Sequence, residues 1–447
     1  MNKKRRILTL AAVCTAIVLA LTFCNRCSKN QSQGEAVTAA DSIETMADPV
    51  DIEPIATDEP TVAELVVAEK STTKAKKKKK PIQGEWVIEN DVTKVKDIAF
   101  EEIADDIVVK PILTDEPIGN IYRMDGNSND FIAADGSQAT FYHIKDGKLV
   151  EKLHAVGRGP GEYSVQILQT VYLPDEGLFY GCDINAGNIK CYQTSPFKFK
   201  TNFNISFLSQ NNELEAMIAL GRDHFLFTWE QGREFKVCDS CTIYEFDADA
   251  NKIFNKGKFW NYGNSRMFTR SGNDVLISMR EEKTVLYRYV DGKKQKVATI
   301  DYGDMEMTKE KVDVKKTGVN SIWQPVYAIS PKDNATGCHY VQLTDSVMAY
   351  WLNPTINDLC HSYLTIATRD KVQNYRIHIG GLNYDVYPWM VDNGVYTMLI
   401  QGDWEEKINP DEKLSPVGKR IIDAMKGNDY DPVIVQFRLK NKYLMND

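Results

Sequence analysis

Three glycines and a proline fall within the five residues Gly157 to Gly161, in the stretch HAVGRGPGEYS, with Arg158 among them and Glu162 and Tyr163 beside them. Such a cluster can cradle a phosphate, bend around a nucleophile, or simply turn the chain. A dinucleotide-binding loop needs G-x-G-x-x-G between a strand and a helix. Here the glycines recur at every second position, and Pro160 lacks the backbone N–H that a phosphate would want. No G-K-[ST] follows, and Ser164 lies outside the glycines, which argues against a P-loop and against a nucleophile elbow. The residues suit a type II turn over Gly159-Pro160-Gly161-Glu162, with proline fixing φ and Gly161 taking a positive φ. For the side chains two expectations stand open. Arg158 and Glu162 pair or cap local backbone at a turn between structural units. Alternatively, Arg158, Glu162 and Tyr163 face a polar or anionic ligand, the planar arginine fork being suited to carboxylates and phosphates.

Thiols offer a second chemistry. Cys182 and Cys191 lie on opposite arms of one predicted hairpin, and a four-residue loop, Asn185 to Asn188, would set them face to face. A cross-strand disulfide and two buried free thiols are both open. Cys238 and Cys241 form a C-x-x-C pair within a β-rich stretch. A thioredoxin-like motif needs a βαβ setting, and zinc normally needs four ligands. No second pair stands at a fitting distance, so a loop disulfide or free thiols is expected here as well. Asp247, Asp249 and Asn251 open like a calcium loop, yet Lys252 stands where such a loop needs glycine and Lys258 where glutamate closes it. A hairpin turn is the better reading. The six histidines contain no HExxH. No metal or other cofactor is expected, and Trp323 and Trp389, in apolar surroundings, are expected in the core.

The elements that must position these residues begin with an address. Four basic residues, Lys3 to Arg6, precede seventeen uncharged residues from Ile7 to Phe23. As a helix the run spans about 25 Å, at the short end of what crosses a bilayer. A small-x-small cleavage site is missing from its end, which favours an uncleaved anchor. Lipidation of Cys24 is an alternative, although Phe23 is large for the residue before a lipidated cysteine. Either way the basic cluster stays inside and the rest is exported, so residues 1–30 are read as a membrane segment. Residues 31–80 carry ten acids and seven lysines without an aromatic residue. Such a composition cannot bury enough surface to order itself, and it predicts a disordered tether, acidic and then lysine-rich. The remaining residues, 81–447, carry a net charge of −11. An acidic body lacks the basic face that nucleic-acid phosphates require.

Within 81–447 short β-rich runs recur as hairpins. DFIAADGSQATFYHI (130–144) sets the plan, and residues 177–194, 224–252, 274–294, 345–369 and 393–406 repeat it. The spacing of roughly 45–60 residues is that of propeller blades. Six units predict an all-β, six-bladed β-propeller forming one domain. DPVIVQFRLK near the C-terminus is expected to pair with an early strand and close the ring. A helix is expected over Pro416–Lys426, with Ser415 capping it and Pro416 in first position.

In order, FEEIADDIVVKPILTDEPIGNIYRMD, DGKLVEKLHAVGRGPGEYSVQI, GNIKCYQ, TVLYRYVDG with ATIDYGD, and DPVIVQFRLKN resemble the TolB-like six-bladed β-propeller proteins of Gram-negative envelopes. The resemblance covers about residues 87–443, and G-x-G-P-G-E-[YF] is its most specific part. It implies a propeller in the cell envelope, on the periplasmic side, and no particular activity. The expected function is that of a membrane-anchored, non-enzymatic propeller that binds an envelope protein or a glycan. The alternative is a glycan lyase or hydrolase with its site in the central channel, since such chemistry need not leave a local motif.

Overall fold

The computed structural model describes residues 85–447, apart from 116, 137–138, 165–166, 184–185, 206–212, 231–240, 249–251, 260–266, 273, 308–334, 336, 357–358, 427–431 and 446–447. The expected anchor, Cys24, the tether, Cys238 and Trp323 lie outside the described residues. Six sheets form the six blades of a β-propeller. Blade 1 comprises Ile121–Gly126, Asp130–Asp135, Thr140–Lys145 and Lys148–Leu153, and blade 2 comprises Ile167–Leu173, Leu178–Asp183, Asn188–Gln193 and Lys198–Asn204. Blade 3 is built from Glu213–Gly221, His224–Glu230, Cys241–Asp247 and Lys252–Phe259, and blade 4 from Phe268–Ser271, Asp274–Arg280, Thr284–Val290 and Lys293–Asp301. Blade 5 uses His339–Leu343, Met348–Leu352, Tyr363–Ala367 and Val372–His378. Blade 6 uses Met390–Asp392, Val395–Ile400 and Val433–Leu439, and Ala104–Pro111 completes it.

The sequence pattern follows the depth of each strand. Second and third strands sit between neighbouring blades and are covered on both faces, so Asp130–Asp135 and Leu178–Asp183 are buried at every position. Fourth strands lie at the rim. Lys148–Leu153 alternates exposed and half-buried residues, as one-sided burial requires. Three tight turns carry their own signature. Asp146-Gly147, Asp291-Gly292 and Asn393-Gly394 each adopt positive φ at both residues, the geometry that matches a two-residue turn to strand twist.

The ring closes as the sequence predicts. Val433–Leu439 pairs antiparallel with Ala104–Pro111. Phe437, on the closing strand, packs its ring 4.9 Å from Phe100 and 5.3 Å from Tyr396. Two further strands precede this clasp and run parallel to the outer edges of other blades: Trp86–Glu89 along blade 4 and Val95–Ala99 along blade 5. The N-terminal segment thus belts three successive blades. Buried Asn90, between the two added strands, donates to Tyr350 Oη (2.8 Å) and accepts from Asn374 Nδ2 (2.8 Å). The helix Pro416–Lys426 is inserted between the second and third strands of blade 6, and Ser415 Oγ accepts from the N–H of Gly418 (3.1 Å). Its Val417, Ile421, Ile422 and Met425 are buried against the closing sheet.

Candidate functional site

The glycine loop connects the rim strand of blade 1 to the innermost strand of blade 2. Its turn is present, with the Glu162 N–H donating to Gly159 O (3.0 Å), but Gly161 does not take a positive φ. The type II expectation is therefore corrected. Glycine is needed at 161 because a Cβ there would stand 2.9 Å from the Cβ of Phe199. The Glu162 carboxylate folds back to accept from Gly159 N (2.8 Å) and fills the space that a Cβ on Gly157 would need. Tyr163 is buried. Its hydroxyl donates to Ala139 O (2.7 Å) or Leu153 O (3.0 Å) and accepts from Ala155 N (3.2 Å), while burial pushes its pKa up to about 12. Ser164 ties the loop to Asp183 through its N–H (2.8 Å) and hydroxyl (2.6 Å). Arg158 is exposed to solvent. The loop is pinned from several sides, with Arg158 standing off it.

Chemistry of another kind gathers on the axis. The six innermost strands pack around a cavity of about 670 Å³. Tyr122, Arg123, Asp125 and Asn127 of blade 1, Gln169 and Tyr172 of blade 2 and Phe268 and Arg270 of blade 4 line it, with Tyr340 of blade 5 and Trp389 and Asp392 of blade 6. The lining extends onto the turns that leave these strands, at Pro174–Glu176, Gly272 and Asn393, and on blade 2 it begins at Gln169. Among the described residues, Arg158, Glu162 and Tyr163 do not line it: they precede the strand whose later half does. Trp389, expected in the core, packs partly against it and also borders the channel.

Arg123, Arg270, Asp125, Asp175, Glu176 and Asp392 bring charge of both signs to this cavity, and two of them have shifted pKa values. Desolvation pushes the Asp125 carboxyl up to about 6, against the pull of Arg123, the Gly126 backbone N–H, Arg270 and the Tyr172 backbone N–H. Arg270 reaches the neighbouring innermost strand, where one Nη donates to the carbonyl of Ala219 on blade 3. Burial lowers its pKa, while Asp125 and Asp392 act in the opposite direction. A carboxyl raised to about 6 and a guanidinium therefore line one compartment.

A buried cluster stands behind the channel wall. Asp130 Oδ1 meets Tyr172 Oη (2.9 Å) and His143 Nε2 (2.7 Å), and Oδ2 meets Lys145 Nζ (3.0 Å). His143 Nδ1 lies 3.2 Å from Ser195 Oγ. Burial alone would raise the Asp130 pKa, yet the bonds from His143, Lys145 and Tyr172 outweigh it and hold the carboxyl below its ordinary value. Tyr172 and His143 are thus committed to each other and to Asp130. They fix the channel wall rather than offer a free acid–base pair. Glu245 repeats the device between blades 3 and 4, with His224 (2.7 Å), Lys256 (2.7 Å) and the Tyr289 hydroxyl.

Cys182 and Cys191 are free and buried. The hairpin register pairs Cys182 with Ile189 and Cys191 with Tyr180, so the thiols are diagonal neighbours and not face to face. The reason is the loop: Asp183 pairs with Asn188 and not with Lys190, two positions away from the expected register. Burial pushes the Cys191 pKa up to about 11 and that of Cys182 higher, which keeps both protonated. Cys241 opens a strand of blade 3. Among the described residues no group of three or more His, Cys, Asp or Glu side chains could hold a metal ion, and no helix is long and apolar enough to cross a membrane.

No family model matches this chain, and no curated protein matches it in sequence. Among solved structures, a candidate exported protein from Bacteroides fragilis superposes with a TM-score of 0.56 at 14% identity, covering 79% of this chain and 99% of its own. A DUF4221-family member from Bacteroides vulgatus gives 0.41 at 8% identity, with 75% and 97% covered. A TolB candidate from Agrobacterium tumefaciens gives 0.33 at 11%, with 61% and 88% covered. At 14% identity the likeness to the Bacteroides fragilis protein is one of fold, and no activity transfers with it.

Proposed function

We propose that the protein is a cell-envelope β-propeller of TolB-like type, held at the membrane through its N-terminal segment with the propeller on the periplasmic side. In this reading it binds a protein or glycan partner without transforming it. The observation that carries the proposal is the axial cavity of about 670 Å³, where aromatic rings and charged groups converge from different blades. Its volume is that of a pocket for a ligand of drug-like size. Arg158, exposed on the glycine loop, offers a further contact to an anionic partner. The membrane part of the proposal rests on the apolar run Ile7–Phe23 and the basic cluster before it. To test the binding part, the full chain in detergent is screened by thermal shift against envelope oligosaccharides and short peptides. A ligand is expected to raise Tm in the wild type and to lose that effect in Trp389→Ala. If no ligand distinguishes the two proteins, the channel is not the site.

Asp125 favours a second reading. A carboxyl raised to about 6 inside a cavity suits a general acid, and Asp392 is another carboxylate on the same wall. A hydrolase built on this pair releases reducing ends from a bound glycan and stops doing so in Asp125→Asn. A binding protein releases none.

A further inference from the structure

The geometry points to an acidic saccharide, a sugar chain bearing carboxylates, as the ligand of the axial channel: Arg270 grips a carboxylate and the channel's aromatic rings lie against the sugar. This deepens the binding reading and rests on it. Arg270 carries the argument. Its side chain lines the channel and is exposed there, while partial burial lowers its pKa. Among the described residues it makes one hydrogen bond, to the backbone of Ala219, and no ion pair. Asp125 and Asp392 influence it only through space. A guanidinium presents five N–H donors in a fixed fork, so most of that fork has no hydrogen-bond partner among the described residues. An arginine fork that lacks an anion is satisfied by water alone, and a carboxylate in contact replaces that water with charge-assisted hydrogen bonds. The planar fork fits a carboxylate with two parallel bonds.

The rest of the wall narrows the class. A small inorganic anion would satisfy Arg270 and leave the remainder of the cavity unused. Tyr122, Phe268, Tyr340 and Trp389 present ring surface from four different blades. Tyr122 is 41% exposed although it sits on an innermost strand. Sugar rings have an apolar C–H face that lies flat on an aromatic ring and hydroxyls that need polar partners around the edge. Asn127 and Asp125 supply such partners on the same wall. A carboxylate on the sugar then reaches the Arg270 guanidinium, to which a neutral sugar offers no charge.

The probes are digalacturonate, its neutral counterpart galactobiose, and the peptide Ala-Glu-Ala, each measured by equilibrium dialysis with the full chain in detergent. Digalacturonate is expected to bind at least tenfold tighter than galactobiose. Arg270→Gln should reduce that preference to within about twofold, and Arg270→Lys should keep only part of it. Trp389→Ala should weaken both sugars by a similar factor. If Arg270→Gln melts well below the wild type, protection of the wild-type arginine from phenylglyoxal, located by mass spectrometry, reads the same contact. Digalacturonate must then protect Arg270 and galactobiose must not. Equal binding of the two sugars, or a preference that survives Arg270→Gln, overturns the acidic assignment and leaves channel binding standing. Binding of the peptide alone overturns the saccharide and again spares the channel. Failure of all three probes overturns both.

Discussion

Gly161→Ala separates two physical reasons for a glycine in the same turn. If Gly161 needed a positive φ, alanine would cost about 1 kcal/mol through the backbone, whatever stood nearby. The structure places no such demand on its φ. Instead an added Cβ would lie 2.9 Å from the Cβ of Phe199 and 3.2 Å from its Cγ, whereas carbon atoms pack at about 3.5–4.0 Å. Phe199 cannot easily retreat. Its ring packs edge-on against Tyr192 at 5.8 Å, and the Tyr192 hydroxyl donates to Gly161 O (3.2 Å). We therefore expect an overpacking cost of about 1–3 kcal/mol. The cost should be shared with Phe199. Phe199→Ala keeps the Cβ but removes the ring that pins it, so the strand can shift by the few tenths of an ångström required. Urea denaturation of the wild type, the two single variants and the double variant gives the coupling directly, and contacting residues couple by about 0.5–3 kcal/mol. A Gly161→Ala loss that is the same with and without the Phe199 ring would refute the steric account. A variant as stable as the wild type would refute the need for glycine altogether.

The Asp125 carboxyl is raised from its ordinary value to about 6, so the stability it allows is fully present below about pH 4 and is lost as pH rises through 6. Asp125→Asn should accordingly match the wild type near pH 4 and exceed it at pH 7.5 by about 1–2 kcal/mol, after allowance for channel water; equal stabilities at both pH values would show that the carboxylate is well solvated. Phe437→Ala removes a fully buried ring from the clasp and should cost about 3–5 kcal/mol in the same denaturation assay, whereas a loss under 1 kcal/mol would mean that the ring does not depend on this strand for closure.

Much of the fold was legible because blades repeat. Residues 130–144, 177–194 and 274–294 have the pattern of hairpins and are the second and third strands of blades 1, 2 and 4. Their burial on both faces produces the unbroken apolar runs that announced them. Blade 6 was harder. The strand Val395–Ile400 was visible, but its partner Val433–Leu439 comes only after the inserted helix Pro416–Lys426. The belt was not legible at all. Trp86–Glu89 and Val95–Ala99 are short, and their partners lie more than two hundred residues away; nothing local marks a strand that joins the outer edge of a distant blade.

The axial site was missed for a reason built into the architecture. Every recognised hairpin starts at the second strand of its blade, so the innermost strands fell outside all of them. Those strands are where Asp125, Arg270 and Asp392 stand, within IYRMDG, FTRS and MVD. Each motif contributes one or two polar residues to the channel, and the motifs are separated by scores of residues, so no spacing rule connects them. A usable signal did exist. A charged residue at the penultimate position of a short strand is out of place if the strand is merely packed, and IYRMDG and FTRS both show it. The glycine loop drew attention because its residues are adjacent in sequence, which is the condition for making a tight turn. A site on the axis of a propeller has the opposite condition: its members must come from different blades, because only the inner strand of each blade reaches the axis. Local density of unusual residues therefore marks how the blades are joined. The chemistry of the channel is found only by taking the first strand of every repeat and asking which of its side chains the core does not need.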